Sequence, residues 1–361
     1  MHNDGGSGLT PISSYGEFGL INHLTQAFPV VHPHVIKGIG DDAAVIQPAE
    51  GLVQVISTDL LLEGVHFDLS YVPLRHLGYK SIAVNLSDIA AMNAQPLAIT
   101  VSIGMSNRFP VEALEELYAG MKIACEKYQV DLIGGDTSSS KQGLMISVTA
   151  VGQVSPEAVT YRKGAKKGDL IVVSGDVGAA YAGLLVLDRE KSVYMNAPDL
   201  QPDLTDYDYV VGRQLRPDPR VDVIYRLKEL GIQPTSMIDI SDGIASELHH
   251  LCFHSKCGAT IYAHKLPIDF QTVKVGEEFE ISPVTFALNG GEDYELMFTI
   301  PIEDFEKIKT IEGLSVVGHI TDEEGIMHCM LESGEAVEIT ADGFQHFKDT
   351  DTNSDSPESE V

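Results

Sequence analysis

The segment Ser81-Ile82-Ala83-Val84-Asn85-Leu86-Ser87-Asp88-Ile89-Ala90-Ala91-Met92 decides how the rest of the chain is read. Apolar side chains fall on nearly every side of it, and a helix apolar all round must be buried. Its polar exceptions Ser81, Asn85 and Asp88 stand at i, i+4 and i+7 and share one stripe. A buried carboxylate needs hydrogen-bond donors or a cation. Asp88 is therefore either a structural cap on a neighbouring loop or a cation ligand. Working outward, Pro73 opens this helix, which runs to about Asn93, because proline suits the first helical position. The β-branched run Leu52–Thr58 precedes the helix and Leu97–Met105 follows it, both as strand candidates.

The alternation continues in both directions. Pro110 opens a second helix to about Tyr128, with Leu114, Leu117, Met121 and Cys125 at helical spacing. Val130–Ile133 and Leu144–Val154 read as strands. Past a Pro/Gly/Lys-rich joint at residues 154–168 come strand Asp169–Ser174, a Gly/Ala helix from Gly178 and a helix near Val221–Leu230. Strand Met237–Ile240, helix Gly243–His254 and strands Ala259–Tyr262, Tyr294–Ile300 and Val316–Ile320 follow. The class is α/β (α+β) with mixed sheets. At 361 residues two domains are expected, 15–154 and 155–347. A flexible leader, 1–14, and a disordered acidic tail, 348–361, flank them. Lys191–Tyr209 fits no pattern.

The chain has 53 Asp and Glu against 24 Lys and Arg, a formal net charge of -29. Nucleic acid and anionic membrane demand cationic patches, so neither is expected as a partner. Much of the excess reads as a solvated surface. Cys125, Cys252, Cys257 and Cys329 form no close CxxC pair, Cys252 and Cys257 standing five apart on one expected helix, and all read as reduced thiols. No signal peptide and no spanning apolar run is visible, which points to the cytoplasm.

Five places set acid beside Gly, Ser or Thr: Gly40-Asp41-Asp42, Ser57-Thr58-Asp59, Ser87-Asp88, Gly134-Gly135-Asp136-Thr137 and Asp239-Ile240-Ser241-Asp242-Gly243. One such acid is ordinary turn chemistry. Five suggest a collector of hard cations, since Mg²⁺ takes carboxylate oxygens and keeps phosphate and water as its other ligands. In all but Asp88 an apolar run leads into the acid, as for a carboxylate at the end of a strand.

Gly38-Ile39-Gly40-Asp41-Asp42-Ala43 matches a dinucleotide fingerprint as a bare string. It is rejected, because the fingerprint needs a following helix and this one runs into another strand candidate. Two turn carboxylates would also repel phosphate, by roughly 1 kcal/mol at 4 Å in water and about 4 at an effective dielectric of 20. Arg162–Lys167 is the one dense basic stretch, either a solvated loop or an anion clamp in which Arg162 is best suited by its planar fork. Asn289–Glu295 sets three acids behind two glycines, either a plain loop or a close approach to a ligand. His66 has no triad partners in any recognisable order. There is no phosphate-cradling Walker A string.

Together these strings resemble the thiamine-monophosphate kinase family, of the superfamily that includes aminoimidazole ribonucleotide synthetase. The markers stand in family order from Gly16 to about Phe347: GEFGLI, IGDDAAVI, ISTDLLLEGVHF, KSIAVNLSDIAAM, LIGGDTS, RKGAKKGD, IDISDG, LNGGEDYEL and GFQHF. The resemblance implies two α/β domains, a homodimer formed through the N-domain sheets, and ATP in a cleft between domains. It implies several Mg²⁺ ions on Asp42, Ser57, Thr58, Asp59, Asp88, Asp136, Asp239 and Asp242. ATP contacts would fall on Tyr118, Gly135, Arg162 and Ser241, and thiamine-phosphate contacts on His66, Glu292 and Phe344. Ser138-Ser139-Ser140 depart from the Thr or Arg that the family often places after GGDT.

The implied reaction is phosphoryl transfer from ATP to thiamine monophosphate, giving thiamine diphosphate. Both reactants are polyanions, so alignment and charge neutralisation are the main requirements, and no side chain need act as acid or base. Rival readings are aminoimidazole ribonucleotide synthetase, selenophosphate synthetase and a non-catalytic nucleotide-binding relative. A selenophosphate synthetase would want a reactive N-terminal cysteine, whereas the first here is Cys125, in a helix.

Overall fold

The computed structural model describes residues 10, 14–15, 20, 23–37, 45–197 and 203–340. Asp42, Phe344, the expected tail and most of the expected leader lie outside the described residues. Strands β1 (Val35–Lys37) and β2 (Val45–Ile46) pair antiparallel. Then come β3 (Val53–Leu62), α1 (Leu74–Ala91), β4 (Gln95–Met105), α2 (Val111–Tyr128), β5 (Asp131–Ser139) and β6 (Met145–Val154). The four long strands form a sheet in the order β3-β6-β4-β5, with only the β4–β5 pair parallel.

Helices α1 and α2 touch at two glycines. A Cβ added to Gly78 would fall 1.9 Å from the Leu117 carbonyl oxygen, and one on Gly120 would fall 1.8 Å from that of Arg75. Only glycine lets these two backbones meet.

The second domain continues with β7 (Leu170–Ser174), α3 (Ala179–Asn196), α4 (Asp208–Leu215), α5 (Val221–Glu229), β8 (Ser236–Ile240), α6 (Ile244–Ser255) and β9 (Gly258–Tyr262). It ends with α7 (Phe270–Phe279), α8 (Pro283–Asn289), β10 (Glu295–Ile300), α9 (Phe305–Ile308), β11 (Leu314–Thr321), β12 (Met327–Met330) and β13 (Ala336–Glu338). Its strands are ordered β13-β12-β9-β11-β7-β10-β8, and β12 runs parallel to β9 in an otherwise antiparallel sheet.

Helix α1 lies against β3, β4 and β6 of its own sheet and also against β8, β10 and α5 of the second domain. Protein covers it from both domains, which is why its sequence is apolar on every side. Among the described residues no helix is long and apolar enough to cross a membrane.

Three expectations need correction. Asp59 and Asp136 do not end their strands: β3 runs on to Leu62 and β5 to Ser139, where Leu62 pairs with Met145 of β6 and Ser139 with Met105 of β4. Gly134-Gly135-Asp136 is consequently strand, not a loop beyond one. A Cβ on Gly135 would lie 1.8 Å from the Val101 carbonyl oxygen, so strand contact already demands this glycine. Cys257 is not helical; Lys256 caps α6 with φ 53, and Cys257 precedes β9. All four cysteines are free and buried.

Candidate active site

Alternation along β3 sends Ser57 and Asp59 toward α1 and Thr58 to the opposite face. There Thr58 Oγ1 donates to the Val148 carbonyl at 3.0 Å, away from the acids. The stripe on α1 meets this strand as its spacing predicts. Ser57 Oγ donates to Asp88 Oδ2, and Asn85 Oδ1 accepts the Asp59 N–H at 3.0 Å. One position earlier on the helix, Ser87 Oγ donates to Asp239 Oδ2 at 2.8 Å, across the domain boundary. Residues from β3, α1 and β8 therefore crowd three carboxylates together.

Their mutual cost is visible in their acidities. Asp59 is pushed up to about 6 by burial, then by the charge of Asp88. Asp88 is raised by burial, while the Ser57 hydroxyl and the Arg162 charge oppose the rise. Asp239 is raised well above the carboxylate range by burial, then by Asp88, Glu247 and Asp59. Burial also pushes Glu247 up to about 7. Glu247 Oε1 accepts the Asp242 N–H at 3.0 Å and the Ser241 hydroxyl at 3.2 Å, fixing the turn between β8 and α6.

Such a set of oxygen donors suits a hard cation that would displace the protons. Among the described residues, no three His, Cys, Asp or Glu side chains converge closely enough to hold one ion by themselves. Asp136 stands apart. It shares a sheet row with Ser102, Ser147 and Leu60, on the face turned from α1, and β5 is the edge opposite β3. Arg162 is exposed, yet its charge reaches Asp88, Glu247 and His250, so it borders the acids. Tyr118 is 8% exposed in the core of the first domain, edge-on to Phe28 at 6.3 Å, and its hydroxyl is pushed up to about 12 by burial.

A cavity of about 440 Å³ opens beside these groups, walled by both domains. His66, Phe67 and Tyr71 line it from the first, and Ser241, Asp242 and Glu292 from the second. His66 is held by its ring, whose Nδ1 accepts the Leu62 N–H at 3.0 Å. The three acids behind Gly290-Gly291 part company. Glu292 lines the cavity. Asp293 accepts the N–H groups of Gly178 at 2.7 Å and Ala180 at 3.2 Å, at the start of α3. Burial pushes it up to about 7 against Arg213 and those two donors. Glu295 is sequestered by Arg213 at 3.0 Å and Arg220 at 2.7 Å.

The loop that carries Glu292 is pressed onto the β8–α6 turn. A Cβ on Gly291 would lie 2.3 Å from the Ser241 carbonyl oxygen, and the Glu292 N–H donates to that oxygen at 2.7 Å. Glu292 and Tyr294 hold positive φ of 68° and 52°, a strain that side-chain-bearing residues tolerate chiefly at functional sites. Sequence reasoning passed over Lys80, Gln214 and Glu247. Lys80 carried a signal, as a cation just before the apolar run Ile82–Val84 of α1; Gln214 and Glu247 carried none.

The two halves match the AIR synthase related protein families: the N-terminal domain over residues 40–154 and the C-terminal domain over residues 166–329. The fold is thus that of the AIR synthase related class, with both domains present. Thiamine-monophosphate kinase of Buchnera aphidicola subsp. Schizaphis graminum is 35% identical over 339 residues, covering 92% of this chain and 99% of its own. The crystal structure of thiamine-monophosphate kinase from Stenotrophomonas maltophilia superposes with a TM-score of 0.76 at 32% identity, covering 89% of this chain and 98% of that one. AaThiL complexed with AMPPCP and TMP superposes with a TM-score of 0.70 at 31% identity, covering 94% and 100%. The chain belongs to the thiamine-monophosphate kinase family.

Proposed function

We propose that the chain transfers the γ-phosphoryl group of ATP to the phosphate of thiamine monophosphate, giving thiamine diphosphate and ADP. The observation that carries this reading is the two-domain cavity, with His66 and Glu292 in its wall next to the crowded carboxylates. A relative of the same fold and length is complexed with AMPPCP and TMP, which supports a nucleotide and a phosphorylated acceptor as the ligands here.

The cavity takes thiamine monophosphate through His66 and Glu292; Phe344, the third contact that the family resemblance implies, lies outside the described residues. ATP would lie along Arg162, Ser241 and the Gly135 strand, while Tyr118, packed in the core of the first domain, is left out of the contacts. Ser57, Asp59, Asp88, Asp239 and Asp242 would hold Mg²⁺, with Asp42, outside the described residues, as a further ligand; Thr58 and Asp136, on the face turned from α1, stand outside that set. When bound, the cation would neutralise phosphate charge and orient the transferring group. The chain's own part is to align two phosphates and keep the walls fixed, because the acceptor oxygen is already ionised and needs no base. The Ser57, Asn85 and Ser87 bonds fix β3 and the carboxylates of Asp88 and Asp239, and Glu247 fixes the turn bearing Ser241 and Asp242. The active form is a homodimer, and the reaction is cytoplasmic, where ATP is found.

The test is turnover. Purified protein with ATP, Mg²⁺ and thiamine monophosphate should release thiamine diphosphate, and free thiamine should be a poor acceptor because it lacks the attacking phosphate. Efficient phosphorylation of thiamine with none of the monophosphate overturns the proposal.

A further inference from the structure

Lys80 is 4% exposed, in the stretch Leu77–Ser87 of α1 that is buried throughout. An ammonium so placed requires partners. Its Nζ donates to the Gln214 carbonyl at 2.9 Å and to Glu292 Oε2 at 2.6 Å. Gln214 Nε2 donates to the same Oε2 at 2.7 Å. One carboxylate oxygen of Glu292 thus takes two donors, one from each domain, and neither bond uses Oε1. The backbone of Glu292 is independently pinned by its bond to the Ser241 carbonyl and by its positive φ. Lys80, Gln214 and Glu292 all line the cavity.

We propose that Lys80 is a positioning residue for the acceptor: it fixes the rotamer of Glu292 so that Oε1 is presented to thiamine monophosphate. This rests on the reading that the cavity is the acceptor site. A stabilising role alone is a poor account of the pair, because buried ion pairs are commonly replaceable by apolar residues of similar volume without loss of stability. The arrangement instead spends a buried cation on one oxygen of the single acid of the GGEDYE loop that faces the cavity.

The test compares Lys80→Met, Lys80→Arg, Glu292→Gln and the Lys80→Met/Glu292→Gln double variant. Steady-state KM is measured for each substrate, together with the melting temperature. Lys80→Met should raise KM for thiamine monophosphate by about 10-fold or more and leave KM for ATP within about twofold, as for a lost oriented contact to one substrate. Lys80→Arg should recover most of the loss. The double variant should be no worse than the worse single variant, because both act through one carboxylate. It also removes the unpaired buried charge, so it remains informative if Lys80→Met alone folds poorly. Unchanged KM for the acceptor, equal losses for both substrates or additive losses in the double variant overturn the proposal. If the wild type uses thiamine monophosphate while Lys80→Met behaves like it, this inference alone fails. A wild type that does not use thiamine monophosphate fails the parent reading and this inference with it.

Discussion

The acids at the domain boundary set a pH dependence whose sign can be worked out. In the folded chain Asp59 rises to about 6, by burial and by Asp88, and Asp88 and Asp239 rise as well. A carboxyl raised in the folded state holds its proton there longer than in the unfolded chain. Its contribution to stability is therefore full below the unfolded value near 4 and is lost as pH rises through about 6. Without divalent cation the melting temperature should fall between pH 5 and pH 8. Mg²⁺ binds the deprotonated acids, so the melting temperature gained on adding it should be larger at pH 8 than at pH 5. Asp88→Asn removes one of the interacting charges at nearly constant volume. It should flatten the pH slope, shrink the gain from Mg²⁺ with a nonhydrolysable ATP analogue, and lower turnover by about 10²-fold or more. A variant with full turnover and full ligand-induced stabilisation would make Asp88 a structural acid only. The stripe Ser81-Asn85-Asp88 was legible because helical spacing fixes which residues share a side. Thr58 was misplaced for the complementary reason: period-two alternation sends it to the other face from Ser57 and Asp59, and a motif read as a string conceals that.

At the scale of elements, α1 was the most legible part of the chain and also the one that ties the domains together. Its all-round apolarity required cover on every side, and the structure supplies that cover from both sheets. The contact between α1 and α2 was not legible, because Gly78 and Gly120 lie inside helices and do not announce what they touch. Their role predicts a sharp size limit. Gly120→Ala would place a methyl 1.8 Å from the Arg75 carbonyl oxygen, in a backbone that cannot yield without parting the helices. Overpacking of this kind costs about 1–3 kcal/mol or more, so a marked drop in melting temperature is expected from denaturation scans. Exposed Gly325, whose added Cβ would meet nothing but whose φ is 77°, should show only a milder backbone penalty. Equal effects at the two sites would remove the packing argument. The short helices α4, α7 and α8 were missed although α7 carries a readable start, the Asp269 side chain accepting the Gln271 N–H at 2.8 Å. Seven to ten residues give too few turns for a periodic signal to stand out.

For the whole molecule, the open face of the four-stranded sheet bears on assembly. The face toward α1 and α2 is packed with Val148, Val101 and Ile103, while the short β1–β2 pair packs against Leu97, Ala98 and Ile133 and leaves the β3 side of the sheet's other face exposed. Along β3, Ile56 and Leu60 stand 65% and 50% exposed on that face, either side of Thr58 and near Thr149 and Ser102. An edge strand presenting large apolar side chains in a chain of net charge -29 invites a partner that buries them, and a second copy of the same face is the simplest one. A stable association of that kind buries on the order of 800 Å² per partner. The homodimer was expected from family resemblance; it could not have been read from the strand alone, because exposure depends on which face the helices cover. Ile56→Lys with Leu60→Lys places two like charges at the centre of the supposed interface, each meeting its symmetry mate. Sedimentation of the wild type should give about twice the chain mass, and the double variant should sediment as a monomer at micromolar concentration while keeping its secondary structure by circular dichroism. Neither substituted side chain touches the cavity, so any loss of turnover that tracks the loss of dimer across a concentration series would show that the cleft needs the pair to hold its shape. A double variant that remains dimeric would move the interface to another face of the molecule.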